Sequence, residues 1–211
     1  MKQDVATKTF EYCSLLYLNQ WLMYDMGYCE ALSNGNRSEK LKALKNAGGF
    51  YRVARNLPSI YDEKRALARY EPVLDIIDPL KPDDFKDDPV KEIREIERRI
   101  SVKYGNKNLL SLTTKFLWIK IKHPVLIYDS QVRNALHTKD GALDVYYEKW
   151  REEFKANEGK IIEACSRLPD MNKYAVNQEV GTEEYIREIS NETWFHERVF
   201  DIYLWNKGNS A

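Results

Sequence analysis

Glycine and proline are scarce in this chain. Its 211 residues include 9 glycines and 7 prolines, and runs of alternating β-branched residues are few. Strands and tight hairpins depend on such residues, so their scarcity disfavours a β-rich fold. Apolar residues instead recur at helical spacing over long stretches. The sequence therefore predicts an all-α fold.

Cysteine and histidine are also few. The three cysteines are far apart, the three histidines are dispersed, and neither a CxxC nor an HxxxH spacing occurs. We therefore expect no metal site and no cofactor. The odd number of cysteines, in a chain whose first nine residues lack the apolar stretch of a signal peptide, indicates a reducing, cytoplasmic location. We expect Cys13, Cys29 and Cys165 to be buried as small hydrophobic side chains.

The chain has neither a net charge nor a long apolar run. The 33 Lys and Arg residues balance 33 Asp and Glu residues, which excludes a strongly basic nucleic-acid-binding domain. A hydrophobic content of 43%, with 12% aromatic residues, excludes an acidic disordered chain. The longest apolar stretch, residues 13–24, is interrupted by Asn19 and Gln20. It falls short of the ~20 apolar residues of a membrane span, so we expect no membrane partner.

Periodicity and capping signals divide the chain into helices of one globular domain, residues 1–211. The loop 79–89, rich in proline and aspartate, is the candidate boundary between two lobes. Asp88 followed by Pro89 is typical of a capped helix start, and Gly48 with Gly49 predicts a helix end. The predicted helices are 4–32, 38–45, 59–70, 72–77, 89–104, 108–122, 130–136, 143–156, 160–168, 183–189 and 193–206.

The charges are unevenly distributed along the chain. Residues 98–128 contain seven lysines and arginines and no acid, and residues 37–55 contain a single acid, Glu39. Such segments bind a phosphate backbone in some neutral proteins, and in others they are solvated helix faces. Both interpretations stay open here. The candidate nucleic-acid contacts are Lys103, Lys107, Lys120, Lys122 and Arg133, and an ion pair with Asp129 is the rival role of Arg133.

The most informative segment is residues 109–136, LLSLTTKFLWIKIKHPVLIYDSQVRNAL. Lys115 lies near the start of a predicted helix, an extended run follows Pro124, and Asp129 or Ser130 caps the next helix. Because Lys115 and Asp129 are 14 positions apart, one helix out and one segment back would let them face one cleft. This arrangement resembles the catalytic segment of the helix-hairpin-helix DNA glycosylase superfamily, particularly its 8-oxoguanine glycosylase-like branch. It is also similar to uncharacterised bacterial proteins with a Ser-Lys-Phe-Leu-Trp … Ile-Tyr-Asp-Ser pattern.

The resemblance implies an all-helical, two-lobed fold and a DNA glycosylase or lyase acting in DNA repair. It places Lys115 at the nucleophile position and Asp129 at the catalytic carboxylate, with Thr114 before the lysine. A carboxylate stabilises the positive charge that develops on the sugar, and a deprotonated lysine attacks its C1′ carbon. Because the target base must leave the stack, Trp118 and Tyr128 are the candidate stacking rings.

Two functions of other classes fit the same sequence. A non-catalytic nucleic-acid-binding module would use the basic segments 98–122 and 37–55, with DNA as its partner. A helical interaction protein would use neither segment, and its charges would serve solvation alone. The sequence leaves these alternatives, the lesion and the oligomeric state open.

Overall fold

A computed structural model describes residues 8–58 and 63–209. The regular secondary structure of these residues is helical throughout, which confirms the predicted all-α fold. None of the described helices is long and apolar enough to cross a membrane. The α-helices are α1 (Phe10–Gln20), α2 (Met26–Asn34), α3 (Arg37–Phe50), α4 (Glu63–Ala66), α5 (Glu71–Ile77), α6 (Pro89–Lys103), α7 (Leu110–Ile121), α8 (Ser130–Ala135), α9 (Leu143–Ser166), α10 (Glu183–Ile189) and α11 (Thr193–Asn209).

The described residues form two compact units. The first unit combines the N-terminal segment up to Met23 with the chain from Tyr128 onwards, and it contains α1 and α8 to α11. The second unit, Tyr24–Ile127, contains α2 to α7. The loop 79–89 lies within this second unit, where Phe85 of its 3-10 turn is fully buried.

Helix α11 is the core helix of the first unit. It packs against α1, α8 and α9. Phe200 of α11 lies edge-on to both Trp150 and Phe154 of α9. At its C-terminal end, Gly208 approaches α8 so closely that a Cβ atom there would overlap the Gln131 carbonyl.

Helix α7 occupies the corresponding position in the second unit, where α2, α3, α5 and α6 pack against it. Two aspartates, one within α5 and one directly after its last residue, neutralise part of the basic surface of α3. Asp75 accepts from Arg37 at 2.8 Å, and Asp78 accepts from Lys40 at 2.6 Å. The acids that the basic segment 37–55 lacks are therefore supplied by another helix.

Two predicted helix ends are wrong. Helix α3 continues through Gly48 and Gly49 to Phe50, and a Cβ atom at Gly48 would lie 2.9 Å from the Tyr70 hydroxyl. That glycine serves close packing rather than termination. Helix α9 likewise crosses the predicted gap at 157–159, because one glycine in an exposed helix costs only about 1 kcal/mol and both ends of α9 are anchored by buried side chains.

Two predicted helices extend beyond the described residues. Residues 4–7 of the first and 59–62 of the third lie outside them. Within the described chain, α1 and α2 are joined by a π-helical turn, Trp21–Asp25. The remainder of the third prediction forms α4 and a 3-10 turn, Ala68–Tyr70.

All three cysteine side chains are buried, as the sequence predicts. Burial raises the pKa of Cys13 to about 12, and it raises the pKa of Cys165 to about 12 as well. A thiol with so high a pKa forms little of the reactive thiolate at neutral pH. These two cysteines therefore contribute packing rather than chemistry.

Candidate functional site

Helix α7 carries the predicted nucleophile in its second turn. Every residue from 112 to 119 is buried, so the helix has no solvent-facing stripe over this length. A helix of this kind belongs to the core. Lys115 is 4% exposed within it, whereas most lysines of folded proteins are exposed.

The Lys115 ammonium lies over the preceding turn of its own helix. Its Nζ atom donates to Ser111 Oγ at 2.8 Å. This direction follows from helix geometry, because long side chains lean toward the N-terminus and meet the residue four positions earlier. The Thr114 hydroxyl donates to the Ser111 carbonyl at 3.3 Å. Ser111 thus orients the lysine within the helix.

The backbone amides at the start of α7 are bonded to side chains. Leu109 N donates to Glu97 Oε1 at 3.0 Å, and Leu110 N donates to Asn108 Oδ1 at 3.2 Å. Glu97 belongs to α6, and residues 98–128 themselves contain no acidic residue. Backbone amides at helix N-termini often bind anions. These two amides already have hydrogen-bond acceptors within the second unit.

Asp129 is the N-cap of α8, one of the two caps that the sequence predicts. Its backbone is extended and its Oδ1 atom accepts from Gln131 N at 2.9 Å. The side chain is half-buried. Burial raises the pKa of Tyr146 well above its ordinary value, and the negative charges of Asp201 and Asp129 raise it further. The Asp129 carboxylate therefore lies in the electrostatic neighbourhood of a buried tyrosine.

Lys115 belongs to the second unit and Asp129 to the first. That the two side chains face one cleft stays a prediction, and so do their catalytic roles.

The five basic candidates have different surroundings. Lys103 and Lys107 are exposed, at the end of α6 and in the connection to α7. Lys120 is mostly buried; its Nζ donates to the Leu32 carbonyl at 3.3 Å and lies 3.7 Å from Asp78 Oδ1. Lys122 is half-buried and has φ +60°, a conformation that glycine adopts more readily. Lys120 thus stabilises the second unit, and Lys103 and Lys107 are presented to solvent.

Arg133 pairs with a residue that the helical spacing does not indicate. Its Nη2 atom lies 3.5 Å from Asp140 Oδ1, and its guanidinium is 5.3 Å from the centre of the Tyr128 ring. The spacing in the sequence indicates an ion pair between Arg133 and Asp129, one helical turn away, as the rival of a nucleic-acid contact. The chain after α8 instead brings Asp140 to the arginine.

The two candidate stacking rings are buried. Trp118 is 1% exposed and Tyr128 is 3% exposed. The Tyr128 hydroxyl accepts from Gly141 N at 2.6 Å, and its ring lies edge-on to Tyr146. Both side chains are therefore packed within the folded protein, and neither is presented to solvent.

A buried charged cluster in the first unit has no counterpart among the predicted sites. Asp201 accepts from Arg198 Nη1 and from Trp150 Nε1, each at 2.8 Å. Burial raises the pKa of Asp201 to about 6, against the opposing effect of Arg198. The signal in the sequence is an acid and a base three positions apart on a helix whose other inward residues are mostly apolar. Such a pair forms an ion pair on one helix face.

Among residues 8–58 and 63–209, no group of three His, Cys, Asp or Glu side chains is arranged to hold a metal ion.

No family model, curated protein or solved structure matches this chain. The chemistry of the candidate site is therefore that of its own groups, which are an amine, a carboxylate and exposed cations.

Proposed function

We propose that the protein is a DNA glycosylase-like enzyme in which Lys115 is the nucleophile. The observation that carries the proposal is a lysine, 4% exposed, in a helix whose neighbouring residues are all buried. Burying an ammonium costs free energy that an apolar side chain would avoid. Proteins use buried lysines as bases and as Schiff-base nucleophiles, so we infer that this lysine is retained for its amine.

The proposed reaction needs no cofactor. The neutral Lys115 amine forms a bond to the sugar C1′ carbon while the glycosidic bond breaks, and the bonding electron pair leaves with the damaged base, which takes up a proton. The nitrogen then loses a proton and its lone pair forms the C=N bond as the C1′–O4′ bond of the sugar breaks; the ring oxygen keeps that electron pair and takes up a proton, which leaves an imine between Lys115 and the opened sugar. The target base must be extruded from the duplex before the attack.

Asp129 is the proposed carboxylate of the same reaction. Positive charge builds up on the sugar as the base departs, and a fixed negative charge lowers the energy of that state. The hydrogen bond to Gln131 N fixes the orientation of its side chain. A capping aspartate can therefore serve the reaction without a change in the helix that it caps.

The proposed setting is a reducing, cytoplasmic compartment with DNA as the partner. Three buried cysteines in one chain suit such a compartment, because cytosolic thiols stay reduced.

Borohydride trapping tests the role of Lys115. We expect the wild-type protein to form a stable covalent adduct with duplex DNA that contains an abasic site, since borohydride reduces the imine to an amine. Lys115→Met keeps a side chain of similar length without the amine, and Lys115→Arg keeps the charge without a neutral amine. Both should lose the adduct entirely, whereas Lys155→Met, an exposed lysine of α9, should retain it. Trapping that survives in both Lys115 variants would refute the proposal.

The Asp129→Asn variant tests the role of the carboxylate separately from that of the nucleophile. Asparagine caps helices as well as aspartate does, so the thermal unfolding midpoint should change little. We expect a loss of 10²-fold or more in the rate of release of 8-oxoguanine from duplex DNA, in line with the effect of removing one electrostatic stabiliser. Trapping on a preformed abasic site should persist, because no base has to leave. Equal base release by the variant and the wild type would contradict the role of Asp129.

A nucleic-acid-binding module without catalysis is the second candidate. Lys103 and Lys107 are exposed and make no ion pair with any residue that the structure describes. Salt-dependent DNA binding that is unchanged in Lys115→Met, with no trapping by any variant, would establish this function instead.

A further inference from the structure

A pair of exposed aromatic rings lies at the C-terminal end of α3 in the second unit. The ring centroids of Tyr24 and Phe50 are 4.6 Å apart, with an angle of 33° between the ring planes. The two residues are 37% and 36% exposed. Large apolar rings that are exposed side by side mark interaction sites more often than single exposed residues do.

A buried polar contact positions the two rings. Tyr51 packs edge-on against Phe50, and its hydroxyl donates to Asp25 Oδ1 at 2.8 Å. Asp25 is fully buried at the end of the π-helical turn that carries Tyr24. Turns of this type often occur at functional sites. The contact ties the end of α3 to that turn, so the ring pair is a preformed feature of the folded unit.

Arg52, which follows Phe50 and Tyr51 in the chain, has an unfavourable backbone conformation. Helix α3 ends with the hydrogen bonds Arg52 N to Gly49 O and Val53 N to Gly48 O, which define a Schellman motif. The left-handed position of this motif is usually glycine, and here it is Arg52, with φ +56°. Helix α6 uses Gly105 at the equivalent position. Arg52 is exposed at this position, where glycine would be more stable.

The cations at the two ends of the segment 37–55 differ in their pairing. Arg37 and Lys40 pair with Asp75 of α5 and with Asp78 directly after it. Arg52 and Arg55, which follow Phe50 in the chain, are exposed, and within the described part of the chain neither makes an ion pair. The exposed ring pair is thus followed in the chain by two cations that have no acidic partner among the described residues.

We propose that the end of α3 and the chain that follows it, with Tyr24, Phe50, Arg52 and Arg55, bind a single-stranded nucleic acid. Bases stack on the ring pair, and phosphates contact the guanidinium groups, as in proteins that bind single strands by stacking and charge. The charge complementarity of unpaired cations with a phosphate backbone selects this partner. The proposal is independent of the reaction at Lys115, which lies on a different helix.

Fluorescence anisotropy with labelled 15-nucleotide dT and rU oligonucleotides tests the proposal on the full chain. We expect wild-type binding that weakens with salt, and Phe50→Ala should lower the affinity about 5- to 150-fold. Arg52→Gly should reduce the slope of log affinity against log salt by about 1. The same variant should raise the thermal unfolding midpoint by about 2–4 °C, because glycine suits the left-handed position. A binding loss in a more stable protein cannot arise from unfolding.

Matched controls lie in the first unit. Trp205→Ala removes an exposed aromatic ring of α11 and Lys155→Ala removes an exposed cation of α9, and both should bind as the wild type does. Borohydride trapping on abasic duplex DNA is measured in parallel with the wild type, so that failure of the base-excision chemistry and failure of this surface are distinguishable. Binding of either oligonucleotide type that depends on Phe50 and Arg52 supports the proposal. Absence of binding at low salt, or equal binding by the Phe50→Ala and Arg52→Gly variants and the wild type, overturns it.

Discussion

Two adjacent threonines of α7 differ in their hydrogen bonds although both are fully buried. Thr114 donates to the Ser111 carbonyl. The Thr113 hydroxyl has no hydrogen-bond partner among the described residues. A buried hydroxyl without a partner carries the cost of its lost hydration, about 1–3 kcal/mol. Helix α7 thus contains one threonine that stabilises it and one that does not.

This difference predicts opposite effects of the same substitution. Thr113→Val replaces the unbonded hydroxyl by a methyl group of similar size, and we expect the free energy of unfolding to rise by about 1 kcal/mol. Thr114→Val removes a bonded hydroxyl and should lower it by about 1 kcal/mol. Urea denaturation of both variants measures the two values. A loss of stability in Thr113→Val would show that its hydroxyl has a role in the fold.

Residue roles were predictable from sequence where their cause is local. Asp129 caps α8 as predicted, because capping depends on a side chain and the next two amides. The partner of Lys120 was not predictable, since Asp78 is distant in sequence and reaches the lysine only in the folded unit. The burial of Trp118 and Tyr128 likewise depends on tertiary packing. Spacing therefore located side chains on helices without identifying their contacts.

Two helical glycines illustrate how packing decides the effect of a residue at the scale of an element. Gly208 of α11 faces the α8 backbone, where a Cβ atom would overlap the Gln131 carbonyl. Gly159 of α9 has open space around its Cβ position. The same residue type is thus required in one helix and unfavourable in the other.

We expect Gly208→Ala to lower the free energy of unfolding by about 1–3 kcal/mol, because α8 and α11 must separate to admit the methyl group. Gly159→Ala is the matched control and should raise it by about 0.5–1 kcal/mol through helix propensity. Guanidinium denaturation followed by far-ultraviolet circular dichroism gives both values. Equal effects of the two substitutions would contradict the close approach of α8 and α11.

The helix boundaries follow the same division between local and tertiary causes. Starts with a capping side chain, such as Asp88 for α6 and Thr182 for α10, lie where the sequence predicts helices to begin. The end predicted from Gly48 and Gly49 is wrong, and so is the predicted gap at 157–159 that contains Gly159. A glycine penalty of about 1 kcal/mol is small, and the packing that outweighs it involves residues far away in sequence.

At the scale of the whole molecule, the zero net charge conceals how the charges are paired. Near the start of the acid-poor segment 37–55, Arg37 and Lys40 pair with Asp75 and Asp78, whereas Arg52 and Arg55 near its end make no ion pair with any residue that the structure describes. The linear sequence shows the segregation of charge but not which cations are neutralised. That distinction separates an ordinary solvated face from a surface that attracts phosphate.

The stability of the whole chain should depend on pH through Asp201 and His196, in opposite directions. The pKa of Asp201 is about 6 in the folded protein because of its burial, against an ordinary value of 3.8. The folded state therefore binds more protons between these values. The contribution of Asp201 to the free energy of unfolding is present below pH 3.8 and is lost as the pH rises to about 6. Burial lowers the pKa of His196 below 6.5, so its contribution is lost as the pH falls below 6.5.

Urea denaturation at a series of pH values separates the two groups. Asp201→Asn cannot titrate, so the stability of the wild type relative to this variant should fall as the pH rises from about 4 to 6, because only the wild type loses the Asp201 contribution over that range. His196→Gln should show the reverse, with the stability of the wild type falling relative to the variant below pH 6.5. A difference between wild type and Asp201→Asn that stays constant from pH 4 to 6 would mean that Asp201 keeps an ordinary pKa despite its burial beside Trp150 and Arg198.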